Sequence, residues 1–339
     1  MKSLVDIQKK LLPDLLSVMQ KRYEILRHIR LTQPIGRRSL ALTTNMTERV
    51  LRSEVDFLKS QNLLDMTTAG MSLTNEGHEL LVELDDLMKE VTGLKVLEEK
   101  LQAKLQVKKV IVVSGDSDTS EYVKQEMGRA AVMYLKTCIQ PSSVIAVTGG
   151  TTLASVASMM TPETKHSNLL FVPARGGLGE QVENQANTIC AKMAEKAMGT
   201  YRLLHVPDEV SDEAYHSLVE EPAVREVLQL IRSASIVIHG IGDAKTMAER
   251  RKTKQETLAK IIDQKAVAEA FGYYFNKEGD VVHKVKTIGI QLDDLMNPMN
   301  VIAVAGGSSK AKAIQAFVKQ GHDTVLITDE AVATELIKG

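Results

Sequence analysis

Three short stretches rich in glycine, hydroxyl side chains and basic residues each follow an apolar run of the sequence. They are TGGTT at residues 148–152, ARGGLG at residues 174–179 and GGSSK at residues 306–310. Glycine lets a ligand approach backbone N–H groups, and hydroxyls, cations and helix N-termini favour phosphate oxygens. Each stretch alone could be only a strand-to-helix turn, and none has the GK[ST] sequence of a Walker loop. Their conjunction predicts a phosphate-binding pocket.

Further polar residues extend this predicted pocket. Arg175, Arg250 and Lys310 are separate cations, which suggests a ligand with more than one anionic group. A carboxylate at Glu269 could accept hydrogen bonds from sugar hydroxyls. The alternative interpretation is an exposed pair of arginines and an ordinary helix glutamate. The candidate ligand-binding residues are Gly149, Gly150, Thr151, Thr152, Arg175, Gln185, Arg250, Arg251, Glu269 and Lys310.

The elements that must position these residues follow from the texture of the chain after Lys108. Strand-sized apolar runs alternate there with helical stretches, which is typical of βαβ units and a mainly parallel sheet. Parallel strands end at one edge of the sheet, so the three glycine-rich stretches should meet there. The predicted strands are 110–113, 144–147, 169–172, 202–206, 236–239, 301–305 and 324–327.

The N-terminal part has helical periodicity and few glycines. The pattern predicts helices over residues 14–31, 36–42 and 47–61, with Thr47 as the N-cap of the third. A hairpin over residues 63–73 follows, with its turn at 67–70. This order of elements is that of a winged helix-turn-helix.

Charge favours DNA as the partner of this part. Residues 20–60 contain nine basic and four acidic residues, a local net charge of +5 in a chain whose net charge is -1. Basic side chains supply most of the affinity for DNA phosphates, and arginines on a recognition helix can reach guanine edges. A winged helix that binds only protein is the alternative. The candidate DNA-binding residues are Arg37, Arg38, Ser39, Thr47, Arg49 and Arg52.

A leucine-rich segment joins the two parts. Its apolar residues recur at three- and four-residue steps over residues 80–105, although Gly93 interrupts the run. The pattern indicates either an amphipathic helix packed on its own domain or a linker helix that pairs protomers. We predict a DNA-binding domain over 1–88, a linker helix over 89–106 and a ligand-binding domain over 107–339.

The remaining sequence features exclude several classes of protein. Cys138 and Cys190 belong to no metal-binding or redox motif, and no apolar run approaches the length of a membrane helix. We therefore expect a cytoplasmic protein with reduced cysteines, no metal, no cofactor and no membrane partner.

A sugar-phosphate isomerase or deaminase would need a positioned general base. Glu269 is a possible base, and Asp243 and His239 are weaker ones, but no paired Asp and His accompanies residues 148–152, so we predict binding without catalysis.

The motifs together resemble the SorC family of sugar-responsive bacterial regulators. The resemblance lies in residues 8–20 (QKKLLPDLLSVMQ), 34–40 (PIGRRSL), 147–152 (VTGGTT), 171–179 (FVPARGGLG), 184–190 (NQANTIC), 268–275 (AEAFGYYF) and 303–310 (AVAGGSSK). It implies a winged helix-turn-helix joined to an αβα domain that is similar to sugar-phosphate isomerases and deaminases.

The resemblance also implies a function and a ligand. The expected function is repression of glycolytic genes at double-stranded operator DNA, by tetramers built from dimers. The expected effector is fructose 1,6-bisphosphate, with dihydroxyacetone phosphate and hexose phosphates as weaker ligands. Residues 149–152 and Lys310 would hold one phosphate. The resemblance assigns the sugar and the second phosphate to Arg175, Gln185, Arg250 and Glu269, with Arg251 beside them.

Overall fold

The structure is a computed structural model in which the chain forms two compact units, Met1–Val96 and Leu97–Gly339. It describes residue 8 and residues 10–165, 168–177, 181–296, 300–321 and 324–338. Three residues of the motifs discussed above, Lys9, Leu178 and Gly179, lie outside the described residues.

The first unit contains the helices and the hairpin predicted from the sequence. Its elements are α1 (Pro13–Thr32), α2 (Arg37–Thr43), α3 (Glu48–Ser60), β1 (Leu64–Thr67), β2 (Gly70–Leu73) and α4 (Asn75–Thr92). The Thr47 hydroxyl caps α3 by accepting a hydrogen bond from the Val50 N–H at 3.4 Å. Leu51, Val55 and Leu58 lie on one face of α3 and are buried in the core of this unit.

The hairpin has the additional pairing that is typical of a winged helix. Ile35, in the segment between α1 and α2, exchanges two backbone hydrogen bonds with Met71 on β2, at 3.1 and 2.8 Å. The Gln33 side chain accepts a further hydrogen bond from the Leu73 N–H at 2.8 Å. These bonds fix the hairpin against the first two helices.

The helix predicted to run through the leucine-rich segment is divided in two. α4 ends at Thr92, Gly93 takes a left-handed φ of 82°, and α5 covers Leu94–Leu105. A left-handed glycine is a common helix terminator, so the local backbone preference outweighs the apolar spacing here. In the second unit, α5 is held against the strand Lys109–Val113, because Glu98 accepts a hydrogen bond from the Val112 N–H at 2.8 Å.

A seven-stranded parallel sheet forms the centre of the second unit, which confirms the predicted α/β fold class. The strands are β3 (Lys109–Val113), β4 (Val144–Val147), β5 (Leu170–Pro173), β6 (Thr200–Tyr201), β7 (Ile236–His239), β12 (Asn300–Val304) and β13 (Thr324–Asp329). Their order in the sheet is β3-β13-β12-β7-β4-β5-β6, and every pairing is parallel.

Helices cover the two faces of this sheet and bury its apolar side chains. The helices of this unit after α5 are α6 (Glu121–Cys138), α7 (Thr151–Met159), α8 (Ala186–Ala197), α9 (Asp212–Glu220), α10 (Pro222–Arg232), α11 (Ala244–Arg250), α12 (Gln255–Asp263), α13 (Ala311–Val318) and α14 (Glu330–Lys338). Short 3-10 segments occur at Val182–Asn184, Leu292–Met296 and Ser308–Lys310.

The prediction of a strand over residues 202–206 was wrong. The edge strand is Thr200–Tyr201, and the chain then leaves the sheet. The side-chain amide of Asn187 donates to the Leu204 carbonyl oxygen and accepts from the Leu204 N–H, both at 3.1 Å. This side chain satisfies the backbone groups that a neighbouring strand would otherwise have paired.

A second sheet, which the sequence did not predict, lies beside the first. It is antiparallel, with the order β11-β10-β9-β8, and consists of β8 (Gly242–Asp243), β9 (Ala266–Ala270), β10 (Tyr273–Asn276) and β11 (Val281–Lys284). Phe271 and Gly272, both with positive φ, form the tight turn between β9 and β10. Glu269 therefore lies on a strand, which excludes the interpretation of an ordinary helix glutamate.

Gly289 provides a test of how tightly the pocket residues are built into this fold. It pairs with Arg175, has a φ of 147°, and a Cβ there would overlap the Ala174 carbonyl oxygen and lie 2.6 Å from the Arg175 Cα. We expect Gly289→Ala to lower the free energy of unfolding by about 2 kcal/mol or more, because both strain and overlap oppose it.

Gly321→Ala is the matched control, since Gly321 has a φ of 74° and open space around its Cα hydrogen. Its expected cost is the backbone strain alone, about 1 kcal/mol. Urea unfolding followed by circular dichroism measures both variants, because the chain has no Trp. Equal losses in the two variants would contradict the close packing of Gly289 against residues 174 and 175.

Candidate functional site

A cavity of about 250 Å³ lies at the carboxyl edge of the parallel sheet. It is bounded by the segments that follow β4, β5, β7 and β12 and by strand β9, so the fold brings the three glycine-rich stretches to one place. Nine of the ten predicted ligand-binding residues line it: Gly149, Gly150, Thr151, Thr152, Arg175, Gln185, Arg250, Glu269 and Lys310.

The first glycine-rich stretch places the N-terminus of α7 at the cavity. Gly150 has a φ of 117° and precedes the first helical residue, Thr151. Its N–H donates to the Asn184 carbonyl oxygen at 2.8 Å, and a Cβ on Gly149 would lie 2.6 Å from the same oxygen. Glycine is therefore required at both positions. The first N–H groups of a helix have no intrahelical acceptor, which makes this end of α7 suited to an anion.

Lys310 supplies a cation to the same cavity. Among the residues that the structure describes, no carboxylate forms a salt bridge with its ammonium group. Burial lowers the pKa of Lys310 below its ordinary value, Asp118 opposes this shift, and Arg250 adds to it. An ammonium group that burial and a neighbouring cation destabilise would be stabilised by a bound phosphate.

The third glycine-rich stretch differs from the open phosphate-binding turn that the sequence predicted. The Gly307 N–H donates to Asp329 at 2.6 Å, and the Ser309 N–H donates to Asp118 at 2.9 Å. The protein's own carboxylates therefore occupy the backbone donors of this turn. Of its residues, Ser309 and Lys310 border the cavity.

Opposite charges meet in a buried network behind the cavity. Arg175 forms ion pairs with Asp208 and, at 3.3 Å, with Glu269. Arg251 contacts Asp208 at 2.9 Å and Glu269 at 2.7 Å, and it donates to the Tyr274 hydroxyl at 2.9 Å. The two arginines and two carboxylates sum to zero charge, which removes much of the cost of burying them.

Arg251 is not among the residues that line the cavity. Its side chain is 1% exposed and is entirely engaged in this network. Burial alone would lower the pKa of Arg251, but Glu269 and Asp208 hold this pKa above its ordinary value. Arg251 therefore supports Glu269 and Arg175 from behind.

Glu269 is held ionised by the same network. Burial alone would raise its pKa, but Arg251, Arg175 and the Gly272 N–H together hold the pKa below the ordinary value. A general base works best with a pKa near the operating pH, so a carboxylate fixed in this way is a poor proton acceptor. It can accept hydrogen bonds from hydroxyl groups of a ligand.

Asp208, Asp118 and Asp329 are the site residues that sequence reasoning missed. Asp208 lies in the loop between β6 and α9, and its contacts depend on chain segments far away in sequence. Asp118 and Asp329 follow predicted strands, which was the available signal. The glycine-rich stretch 306–310 contains a lysine and no acidic residue, so its sequence did not indicate that carboxylates would accept its backbone hydrogen bonds.

The candidate DNA-binding residues lie on α2 and α3 of the first unit. Arg49 and Arg52 are exposed on the side of α3 opposite its buried face, and the Arg38 side chain is 91% exposed. Arg37 and Ser39 belong to the first turn of α2, whose N-cap is Gly36. Thr47 has its hydroxyl engaged in capping α3.

Part of the predicted basic charge is compensated within this unit. Arg22 contacts Glu54 at 2.8 Å and stacks on the Phe57 ring, with its guanidinium carbon 3.6 Å from the ring centroid. Lys21 lies 3.6 Å from the same carboxylate. Arg38 of α2 lies 3.9 Å from Glu48, at the exposed start of α3. The exposed Arg49 and Arg52 of α3 are therefore better placed to contact phosphates and bases than Arg22 of α1.

In the described ranges no cluster of His, Cys, Asp and Glu is arranged to hold a metal ion. No helix in the same ranges combines the length and the apolar character required to span a membrane.

Family models match both units of the chain. A model of the sugar-binding domain family Sugar-bind matches residues 89–338, and a model described as the CggR N-terminal DNA binding domain matches residues 18–88. The central glycolytic genes regulator of Priestia megaterium is 64% identical over 339 residues, covering 100% of this chain and 99% of that protein. The protein of the same name from Bacillus subtilis is 61% identical over 338 residues, covering 100% and 99%.

Solved structures agree with these matches. A SorC family transcriptional regulator from Enterococcus faecalis has a TM-score of 0.68 and 45% identity, covering 71% of this chain and 99% of its own. The full-length sorbitol operon regulator SorC from Klebsiella pneumoniae has a TM-score of 0.68, covering 90% and 94%, and at 16% identity it supports the fold alone.

The matches decide between the two classes of function that the sequence left open. The relatives are regulators and the N-terminal model is that of a DNA-binding domain. They confirm the prediction of a DNA-binding transcription regulator with a sugar-binding domain, and they exclude the isomerase or deaminase interpretation.

The lowered pKa of Lys310 predicts a pH dependence of ligand affinity. A bound phosphate favours the charged ammonium, whereas in the ligand-free site burial lowers the pKa of Lys310, which Asp118 opposes and Arg250 reinforces. Affinity for fructose 1,6-bisphosphate, the expected ligand, should therefore weaken as the pH rises through the alkaline range. Calorimetric titrations between about pH 7.5 and about pH 9.5 avoid the second phosphate ionisation, near pH 6.

Lys310→Arg is the control for this pH dependence, because a guanidinium stays charged throughout that range. The variant should bind with a weaker pH dependence than the unmodified protein. A profile that is equally steep in both proteins would show that another group titrates.

A second prediction concerns the surface of α3. We expect Arg49→Ala to weaken binding to operator DNA about tenfold, because Arg49 is exposed on the face opposite the core and its contact to a base edge or phosphate would be lost. Arg22→Ala is the control that removes the same charge where Glu54 already compensates it, and its expected loss is less than about threefold. Fluorescence anisotropy with a labelled operator duplex measures both, and a larger loss for Arg22→Ala would contradict this assignment.

Proposed function

Because this chain belongs to the SorC family of bacterial transcriptional regulators, among the central glycolytic genes regulators, we propose that it represses glycolytic genes and that fructose 1,6-bisphosphate relieves the repression. The glycolytic target comes from the names of the relatives. The choice of effector comes from the chemistry of the cavity together with the family resemblance.

One observation carries the choice of a phosphorylated ligand. The cavity joins the N-terminus of α7 to the Lys310 ammonium, and no described carboxylate forms a salt bridge with Lys310. A phosphate placed there would accept hydrogen bonds from the helix N–H groups and from the hydroxyls of Thr151 and Thr152, and its charge would compensate Lys310.

The other side of the cavity suits the remainder of the ligand. Arg175 and Glu269 present donors and an acceptor whose charges balance, which favours sugar hydroxyls over an isolated anion. Gln185 adds an amide, and Arg250 adds a cation that could meet a second phosphate. Ligands with a single phosphate, such as dihydroxyacetone phosphate or a hexose phosphate, would use one anchor only and bind more weakly.

The size of the cavity also favours a compact ligand. Small-molecule pockets usually enclose about 300–1000 Å³, and this one encloses about 250 Å³. A sugar phosphate is compatible with such a space. We accordingly propose an effector site and no cofactor site.

The proposed control requires that the effector distinguish two states of the protein. A ligand shifts an equilibrium only to the extent that it binds the two states with different affinity. We propose that the protein binds its operator as a homo-oligomer, either a dimer or a tetramer built from two dimers, and that the effector weakens the contacts between dimers. Segments from both sheets border the cavity, so a bound bisphosphate can change their relative position.

The proposed function is tested by calorimetric titration of the full-length protein with fructose 1,6-bisphosphate, with product analysis in parallel. Saturable binding without turnover is expected. Lys310→Met should weaken binding by at least about tenfold, since a charge-assisted contact is lost. Lys312→Met, which removes a charge from an exposed neighbour, should bind within about twofold of the unmodified protein.

Operator binding completes this test. Adding the bisphosphate should weaken the assembly of the unmodified protein on operator DNA, measured by anisotropy and sedimentation. The same addition should have little effect on Lys310→Met at the same concentration. An operator complex that is unchanged at saturating ligand would refute the proposed control, and absent binding would refute the proposed effector.

A further inference from the structure

The turn that carries Lys310 is held by two carboxylates with different surroundings. Asp329 is fully buried and accepts hydrogen bonds from the Gly307 N–H at 2.6 Å and from the Ser117 N–H at 2.9 Å. Asp118 is exposed, in the loop between β3 and α6, and accepts from the Ser309 N–H at 2.9 Å and the Ser309 hydroxyl at 3.1 Å. Asp329 thus belongs to the core of the sheet, whereas Asp118 lies at the surface, in contact with Ser309, which borders the cavity.

The turn is shaped to receive the Asp118 carboxylate. Gly307 has a φ of 95°, and a Cβ at this position would overlap the Asp118 side chain. The Ser308 hydroxyl also reaches Asp116 at 3.3 Å, and Asp116 in turn accepts from the Asp118 N–H at 2.8 Å. The loop over residues 116–118 and the Ser308–Lys310 turn therefore form one hydrogen-bonded unit.

Asp118 favours the charged form of Lys310 without pairing with it. Burial lowers the pKa of Lys310, and Asp118 is the first of the neighbouring groups that oppose this shift. Among the described contacts, no salt bridge joins the two side chains. The carboxylate is thus close enough to stabilise the ammonium, while the ammonium keeps its hydrogen-bond donors for a ligand.

We propose that Asp118 is a positioning residue of the effector site, whose carboxylate holds the Ser308–Lys310 turn so that the Lys310 ammonium meets the phosphate of the ligand. This proposal rests on the function proposed above. It assigns to Asp118 a contribution to effector affinity that is made entirely through Lys310 and its turn.

A double-mutant cycle on the full-length protein separates positioning from a general structural role. Asp118→Ala should weaken the affinity for fructose 1,6-bisphosphate about fivefold or more, because the turn loses its acceptor and Lys310 loses a favourable charge. Asp118→Asn keeps an oxygen acceptor for the Ser309 N–H and should recover part of this loss. In the Lys310→Met background, neither substitution should reduce the remaining affinity by more than about twofold.

Two controls accompany the cycle. Glu121→Gln removes a negative charge from the start of α6, where the carboxylate contacts Lys124 at 3.1 Å, and should leave affinity unchanged within about twofold. Thermal unfolding of each variant shows whether it folds. If Asp118→Ala does not fold, Asp118→Asn still tests the proposal.

The outcomes distinguish this proposal from the proposed function. If the unmodified protein does not bind the bisphosphate, the proposed effector is wrong and Asp118 loses its role with it. If the unmodified protein binds and folded Asp118→Ala binds equally well, Asp118 does not position the site. Equal losses in the presence and absence of Lys310 would also overturn the proposal, because Asp118 would then act independently of Lys310.

Discussion

Four buried charges must be neutralised for the sugar-binding domain to fold as it does. Arg175, Asp208, Arg251 and Glu269 come from four separated segments, and each is almost completely removed from water. Removing any one partner would leave a buried charge uncompensated, which costs several kcal/mol, on the order of 3–5. The network therefore fixes the antiparallel sheet that carries Glu269 to the loop that follows β5. It also determines that the cavity has one face whose charges are already balanced.

The balanced face and the cationic face of the cavity have different chemical consequences. Arg175 and Glu269 constrain one another and can offer directional hydrogen bonds to neutral groups. Lys310 and the end of α7 offer positive potential without an internal counter-charge in a salt bridge among the described residues. A ligand that is anionic at its ends and rich in hydroxyls satisfies both faces. On the balanced face, the two arginines hold Glu269 in its ionised form with a lowered pKa. This carboxylate is therefore a poor general base and is suited to binding hydroxyl groups.

The sequence was most informative where the backbone imposes local rules. Apolar runs followed by glycine predicted the central strands and the edge at which the cavity lies, and the Thr47 cap predicted the start of α3. It was least informative where side chains from distant segments replace backbone partners. Asn187 satisfies the chain at Leu204, which removed a predicted strand, and Arg251 turns toward buried carboxylates although its sequence neighbour Arg250 borders the cavity. Such outcomes depend on long-range contacts that neither periodicity nor composition contains.

Strand β3 is an edge strand of the parallel sheet, and an open edge presents unpaired N–H and carbonyl groups to other chains. Glu98 on α5 accepts a hydrogen bond from the Val112 N–H, and Gln102 donates to the Lys108 carbonyl oxygen. The opposite edge, β6, is only two residues long. α5 thus covers this edge and prevents it from pairing with a strand of another chain. A fragment of the sugar-binding domain that begins after residue 105 would lack these contacts, so a soluble fragment should begin at Leu94, the first residue of α5, or earlier.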